Sequence, residues 1–263
     1  MDATASVPQF DTIRVGLDGE RGALQLHRPD QLNPLSTHTL YELEEAARWF
    51  DRQDDLKVVV VSGAGRAMSS GADLGGFSGG PVDRTAREQG GRMTRAIEEM
   101  RAVTIASIHG WCVGGGFVLA SACDLRLAAA SARFSIPEVD LGIPLTWGAI
   151  PRMVRDIGPA MTKELVMTCR PFDATEAKSI GFVNRVVPDE QLAAEVDAMA
   201  TILVGKAKYA LLATKAHVNA VSETMVGTSR SWADPDALAA GFNDAEGRAK
   251  AREYLERRRS RGS

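Results

Sequence analysis

Ser107-Ile-His-Gly-Trp-Cys-Val-Gly-Gly-Gly116 is the stretch that decides the fold of this chain. A buried strand, Thr104 to Ile108, is predicted to end there in a turn at His109-Gly110. The three glycines at 114–116 then open a helix that is predicted to end near Asp124. The first N–H groups of a helix have no partner within it, and the helix dipole makes this end positive. Such an end favours an oxygen atom that carries negative charge.

A second glycine-rich segment, Gly63-Ala-Gly-Arg-Ala-Met-Ser-Ser-Gly-Ala-Asp73, leaves another predicted buried strand, Lys57 to Ser62. Its small side chains would let a ligand approach the main chain. Two backbone donors from two turns, aimed at one developing charge, would make an oxyanion hole. Taken singly, the Gly63–Asp73 segment also fits a tight packing turn, and the glycines at 114–116 also fit an ordinary helix start. A nucleotide site fits worse, because Met68 replaces the third glycine of that motif and no GxxxxGK[ST] pattern exists.

The composition is that of an ordinary soluble globular protein. The 263 residues are 44% apolar and 25% charged, and their net charge of −3 gives no general attraction to nucleic acid. The three cysteines have no CxxC or Cys/His spacing, which argues against a disulfide framework and a zinc site. The longest apolar stretch, Val113 to Ala130, is interrupted by Asp124 and Arg126, so no membrane span is expected. The N-terminal residues lack the apolar region of a secretory signal, and the expected location is cytoplasmic.

Periodicity predicts an α/β core over residues 8–198 and a helical region over residues 199–263. In the core, a hairpin is predicted from Ile13 to His27, a helix after Ser36 to about Gln53, and a second helix from Asp83 to Met100. From Thr175 the sequence is mostly helical, with one strand predicted at Phe182 to Val187. Strand pairs followed by a helix recur loosely, as in an α/β fold with a C-terminal appendage.

In this order and spacing, the motifs resemble the crotonase superfamily, the enoyl-CoA hydratase/isomerase enzymes. The resemblance covers nearly the whole chain: Arg28-Pro29 with Asn33, SSGADL from Ser69, SIHGWCVGGG from Ser107, SACDLRLA from Ser121, FSIPEVDLGI from Phe134 and TCRPFDATEAKSIGFVNRVVP from Thr168. It implies a crotonase-like spiral of ββα units whose C-terminal helices build a homotrimer or a dimer of trimers. It also implies an acyl-CoA substrate, with no metal and no cofactor beyond the coenzyme A of that substrate.

The resemblance also assigns residues to the site. The two oxyanion-hole donors fall on the main chain of Ala72 and Gly115. Residues expected to contact the substrate or its coenzyme A are Arg66, Ser70, Gly71, Asp73, Leu74, Gly114, Val118 and Trp147. Trp147 occupies a stretch that lines the acyl pocket in the family, where residues are usually small, so it is expected to shorten or reshape that pocket.

One carboxylate of the expected pair is missing. Hydratases of the family usually carry a glutamate three residues after the oxyanion-hole glycine, where this chain has Val118, whereas the second glutamate is matched by Glu138. Hydration benefits from two groups, but moving a double bond needs only one base that removes a proton and returns it nearby. Glu138 therefore favours an enoyl-CoA isomerase. The alternatives are a hydratase working from one glutamate and an acyl-CoA-binding relative that has lost its chemistry.

Two variants of this assignment are less favoured. The extra acids of dienoyl-CoA isomerases would fall on Val118 and Thr146, which are not acidic. Asp140 could serve as a second carboxylate, but two residues along an extended segment its side chain is expected to point away from Glu138.

Overall fold

A computed structural model describes residues 7–73, 84–231 and 233–261. Leu74 and the glycine-rich stretch that follows it, to residue 83, lie outside the described residues. The strands are β1 Ile13–Asp18, β2 Arg21–Leu26, β3 Val58–Gly63, β4 Val103–Ile108, β5 Trp111–Val113, β6 Leu125–Ala129, β7 Arg133–Ser135, β8 Phe172–Asp173 and β9 Arg185–Val187. The helices are α1 Thr37–Asp51, α2 Arg84–Glu99, α3 Gly115–Ser121, α4 Ala149–Thr168, α5 Ala174–Ser179, α6 Leu192–Val204, α7 Lys208–Val226, α8 Asp234–Asn243 and α9 Ala245–Arg261.

Six strands form the central sheet, in the order β1-β2-β3-β4-β6-β9. Only β1 and β2 are antiparallel; every later pair is parallel. The strands β3 and β4 at the centre of this sheet are buried along most of their length, because both faces of the sheet are covered there. In β3, Val59 and Val61 face the main core, while Val58 packs with Leu192 and Val196 of α6 on the other face.

A smaller sheet of β5, β7 and β8 carries the parts of the chain that matter for the site. β5 and β7 are parallel, with Val113 opposite Ser135. Because parallel strands end at the same edge, the segments that follow them, at 114–115 and 136–138, leave the sheet side by side. An isolated bridge between Ser69 and Cys112 brings the other glycine-rich segment to the same place.

Most of the predicted elements are confirmed. Ser36 caps α1, since its Oγ accepts the N–H of Thr39 at 3.1 Å. Three boundaries were wrong: the second hairpin strand, predicted to begin at Ala23, begins at Arg21; α3 ends at Ser121 and not near Asp124; and the last strand begins at Arg185 and not at Phe182. The strands β5 and β8 were not predicted, because they have three and two residues and carry no measurable alternation.

The C-terminal helices α8 and α9 pack against the segment that follows Glu138. A Cβ at Gly142 would lie 2.3 Å from the Cα of Gly247, and a Cβ at Gly241 would lie 3.1 Å from the carbonyl oxygen of Gly142. Glycine at these three positions thus allows close backbone contact. Among the described helices, none is long and apolar enough to cross a membrane.

Candidate active site

A cavity of about 390 Å³ lies where the two glycine-rich segments meet. It is mostly apolar, as small-molecule sites usually are, with a few polar groups that converge on it. Its lining residues are Gln31, Leu32, Pro34, Ser70, Gly71, Ala72, Asp73, Val113, Gly114, Gly115, Val118, Pro137, Glu138, Leu141, Ile143, Pro144, Leu145, Thr146, Trp147, Leu238, Phe242 and Tyr254.

The main chains of Ala72 and Gly115 come together on one side of this cavity. A Cβ built at Gly115 would lie 3.3 Å from the Ala72 nitrogen, and one at Gly71 would lie 3.6 Å from the Gly115 nitrogen. Within the described part of the chain, neither N–H donates to a protein acceptor. Gly115 is the first residue of α3, where N–H groups have no helical partner. Two such donors suit an oxygen that gains negative charge.

The backbone pairing of Ala72 with Leu35 explains why the Ala72 N–H does not donate to either of these segments. In the pairing of Leu35 with Ala72, the Leu35 N–H donates to Gly71 O at 2.8 Å and the Asp73 N–H donates to Leu35 O at 3.0 Å. A parallel bridge uses the residues on each side of Ala72 and leaves its own N–H pointing away. Ser69 secures the turn, since its buried Oγ accepts the Gly71 N–H and donates to Asn33 O.

Glu138 reaches the same place from β7. The Gly114 N–H donates to Ser135 O at 2.9 Å, which ties the start of α3 to the end of that strand. Three residues later the Glu138 carboxylate lies against Gly114, with Oε1 2.7 Å from the position of a Cβ there. Its carbonyl oxygen accepts the N–H groups of Leu141 and Ile143, which hold the turn.

The Glu138 carboxylate has little compensation for its burial. Its Oε2 is buried and has no hydrogen-bond partner among the described residues. Loss of water around the carboxylate raises the pKa of Glu138 from 4.5 to about 7. A carboxyl group with that pKa can both accept and return a proton near neutral pH.

Among the described residues, two other acids near the site, Asp73 and Asp140, lack the unpaired, buried carboxylate oxygen that Glu138 has. Asp73 lines the cavity, but its Oδ2 is paired with Arg28 at 3.3 Å. Asp140 is exposed and is absent from the cavity wall. The prediction that it points away from Glu138 is consistent with this position. The space one helical turn beyond Gly115 is occupied by Val118, whose side chain is 1% exposed.

The comparisons with known proteins agree with this geometry. A family model described as enoyl-CoA hydratase/isomerase matches residues 22–261. This chain belongs to the enoyl-CoA hydratase/isomerase family. It is 32% identical over 255 residues to a crotonyl-CoA hydratase from Syntrophomonas wolfei, covering 95% of this chain and 97% of that protein.

Two further family members show the range of reactions. A peroxisomal Delta(3,5)-Delta(2,4)-dienoyl-CoA isomerase from Arabidopsis thaliana is 34% identical over 226 residues, 80% of this chain and 81% of that protein. The crystal structure of an enoyl-CoA hydratase from Mycobacterium avium subsp. paratuberculosis superposes with a TM-score of 0.85, at 25% identity, over 93% of this chain and 99% of that one. The predicted crotonase-like α/β fold is confirmed. As a member of the hydratase/isomerase family, the protein is an acyl-CoA enzyme.

The residues predicted to contact the substrate fall into three groups. Ser70, Gly71, Asp73, Gly114, Val118 and Trp147 all line the cavity together with the donors and Glu138. Arg66 is exposed on the turn after β3 and is not part of the wall. Leu74 lies outside the described residues. The binding roles of all eight stay predictions.

Three side chains of the C-terminal helices also line the cavity, and sequence reasoning missed them. They are Leu238 and Phe242 of α8 and Tyr254 of α9. Leu238 and Phe242 are four residues apart and so share one face of α8, which was a usable signal for an apolar contact. Nothing in the sequence indicated which part of the core that face would cover.

The cysteines do not compete with Glu138 for a chemical role. All three are free, and each is buried. Burial raises the pKa of the Cys123 thiol to about 12 and that of the Cys112 thiol further still. A thiol is a nucleophile only as thiolate, so these groups act as small apolar side chains.

Proposed function

We propose that this enzyme moves a double bond in an acyl-CoA, converting a 3-enoyl-CoA to a 2-enoyl-CoA, with Glu138 as the single acid/base. The observation that carries the proposal is the Glu138 carboxylate beside Gly114, whose buried Oε2 has no partner in the described part of the chain, with the apolar Val118 in place of a second acid. Ala72 and Gly115 are the proposed oxyanion donors.

The chemistry follows from these groups. Glu138 takes a proton from C2 of the substrate, and the electron pair of that C–H bond spreads into the thioester and the double bond. The thioester oxygen gains negative charge, which the Ala72 and Gly115 N–H groups stabilise by hydrogen bonds. Glu138 then returns the proton to C4, which leaves the double bond between C2 and C3. One group performs both transfers, so no second carboxylate is required.

A single-glutamate hydratase is the second candidate. It is favoured by the names of relatives, among them the crotonyl-CoA hydratase and a short-chain-enoyl-CoA hydratase from Clostridium acetobutylicum that is 28% identical over 257 residues. Against it, the position one turn beyond Gly115 is apolar, so the protein offers no second acid there to deliver or position a proton. The third candidate is an acyl-CoA-binding relative without activity. The raised pKa of Glu138 disfavours it, because burying this carboxylate costs stability and a protein without catalysis would gain nothing in return.

Turnover of two substrates tests the proposal. Purified enzyme is incubated with a 3-enoyl-CoA and separately with a 2-enoyl-CoA, and products are separated by liquid chromatography and mass spectrometry. We expect 2-enoyl-CoA from the first substrate at a much higher rate than 3-hydroxyacyl-CoA from the second. Faster hydration would favour the second candidate. Absence of both reactions, with acyl-CoA bound, would favour the binding relative.

The assembly and location belong to the same proposal. We expect a homotrimer or a dimer of trimers in the cytoplasm. In support of an interface, α7 carries large apolar side chains that are far from buried in one chain: Tyr209 at 86%, Val218 at 58% and Met225 at 72% exposure. Sedimentation velocity of the purified protein measures the assembly directly, and a monomer at micromolar concentration would contradict it.

A further inference from the structure

Trp147 lies in the wall of the cavity between two glycines. A Cβ at Gly115 would lie 2.6 Å from its Cζ3, and a Cβ at Gly90 of α2 would lie 2.1 Å from its Cε2. Any larger residue at either position would collide with the indole. The space for this ring therefore depends on glycine on both sides, and one of the two is the proposed donor Gly115.

The backbone of Trp147 is held in a conformation that a bulky residue rarely adopts. Its φ is +60°, in the left-handed region. Its carbonyl oxygen accepts a hydrogen bond from Thr94 Oγ1 at 2.8 Å and another from Arg152 Nη1 at 3.0 Å. Arg152 is itself 1% exposed and bonded to Glu98 at 2.6 Å. Buried contacts thus hold the backbone of Trp147 in this conformation, and the indole lies packed between Gly90 and Gly115.

A second cavity of about 250 Å³ shares this residue as part of its wall. Arg92, Arg95, Ser229 and Ser231 also line it. Trp147 therefore borders both the mostly apolar candidate cavity and a cavity lined by arginine and serine residues.

We propose that Trp147 determines acyl-chain length in this enzyme. A thioester oxygen bound to the Gly115 N–H lies next to the benzene edge of the indole, and the acyl carbons that follow the carbonyl start against that wall. The ring closes the space behind Gly115 that a longer chain would need. The enzyme therefore accepts short acyl groups, a conclusion that rests on the proposed function because it takes acyl-CoA as the ligand of this cavity.

Calorimetric titration with saturated acyl-CoAs, from butyryl-CoA to decanoyl-CoA, tests this without relying on turnover. Trp147→Gly removes the ring and suits the positive φ, whereas Trp147→Leu keeps a smaller apolar wall. Trp111→Ala is the matched control, because Trp111 is 45% exposed and lines neither cavity. Circular dichroism and thermal melting establish that each variant is folded, and Trp147→Leu carries the test if Trp147→Gly does not fold.

In the wild type and in Trp111→Ala, we expect affinity to stop rising, or to fall, beyond hexanoyl-CoA. In Trp147→Gly each further methylene that becomes buried should strengthen binding roughly threefold to fourfold, with a smaller gain in Trp147→Leu. Wild-type binding that keeps strengthening through decanoyl-CoA, or length profiles that are the same in the wild type and the variants, would overturn the role of Trp147 and leave the proposed function intact. If no acyl-CoA binds to the wild type, both proposals fall together.

Discussion

Gly114 and Glu138 share one small space: a Cβ at position 114 would lie 2.7 Å from Glu138 Oε1. The φ of Gly114 is +46°, which disfavours any other residue even without that contact. The glycine that begins the turn into α3 therefore also makes room for the carboxylate. The position of the Gly115 N–H and the position of the Glu138 carboxylate therefore both depend on glycine at residue 114.

Gly114→Ala should disturb both the turn into α3 and the position of the Glu138 carboxylate. We expect a loss of about 1–3 kcal/mol in the free energy of unfolding, from backbone strain and the displaced carboxylate, together with a large loss of proton transfer. Gly91→Ala is the control, because a Cβ at this position of α2 meets no atom within 4 Å and should leave activity unchanged. Urea denaturation and enzyme assays measure the two effects. Wild-type activity in Gly114→Ala would show that the carboxylate can work from another position.

Glu138→Gln should fold and bind acyl-CoA while losing most of its proton transfer. Glutamine keeps the size of the side chain but is no base, and general acid–base catalysis contributes about 10²–10⁴-fold. The measurement is exchange of the acidic C–H proton of the substrate with solvent deuterium, which reports the base whatever the net reaction. Asp140→Asn is the matched control, since that exposed carboxylate lies outside the cavity wall. Exchange at the wild-type rate in Glu138→Gln would mean that the base is elsewhere.

The same carboxylate should make both rate and stability depend on pH. Because burial raises the pKa of Glu138 to about 7, the exchange rate should rise with pH and level off above about 7. Between about pH 4.5 and 7 the folded protein holds a proton on this group that the unfolded chain has lost, so stability falls as pH rises through that range. Relative to Glu138→Gln, the wild type should lose about 1–3 kcal/mol across it. Parallel stability curves for the two proteins would contradict the burial effect.

Ala72→Pro should remove one of the two proposed oxyanion donors. The Ala72 N–H makes no hydrogen bond within the described structure, whereas its neighbours hold the bridge to Leu35. Proline lacks the N–H group, so we expect a fall in kcat of about 10²–10³-fold, the range seen for loss of one oxyanion donor. Ala72→Ser keeps the N–H group and serves as the control. Equal rates in the two variants, with both folded, would exclude this N–H as a donor.

Val118→Glu should add hydratase activity. Val118 lines the cavity one helical turn beyond Gly115, so a carboxylate there would lie beside the reacting carbons. Conversion of 2-enoyl-CoA to 3-hydroxyacyl-CoA is the measurement, and Val118→Gln is a control of the same size without the acid. The site is apolar and Val118 is 1% exposed, so the new carboxyl group should have a raised pKa and some cost to stability. An unchanged hydration rate in a folded variant would contradict the assignment of the missing acid.

The sequence by itself determined the local features of this protein and, through its motifs, the family. The β1–β2 hairpin, the Ser36 cap and the glycine start of α3 depend on residues that are neighbours in the chain, so their patterns could be recognised directly. The motif match also placed Glu138, Ala72 and Gly115 together, although nothing in residue spacing alone requires them to meet.

Only the tertiary structure decided the distances and the walls of the site. Glu138 meets Gly114 because β5 and β7 pair in parallel, a register that three-residue strands cannot reveal. The Trp147 ring depends on Gly90, 57 positions earlier, and Leu238, Phe242 and Tyr254 reach the cavity because α8 and α9 pack on the segment after Glu138. Such contacts join residues that are far apart in the chain, and close packing between whole elements, which no local pattern encodes, determines them.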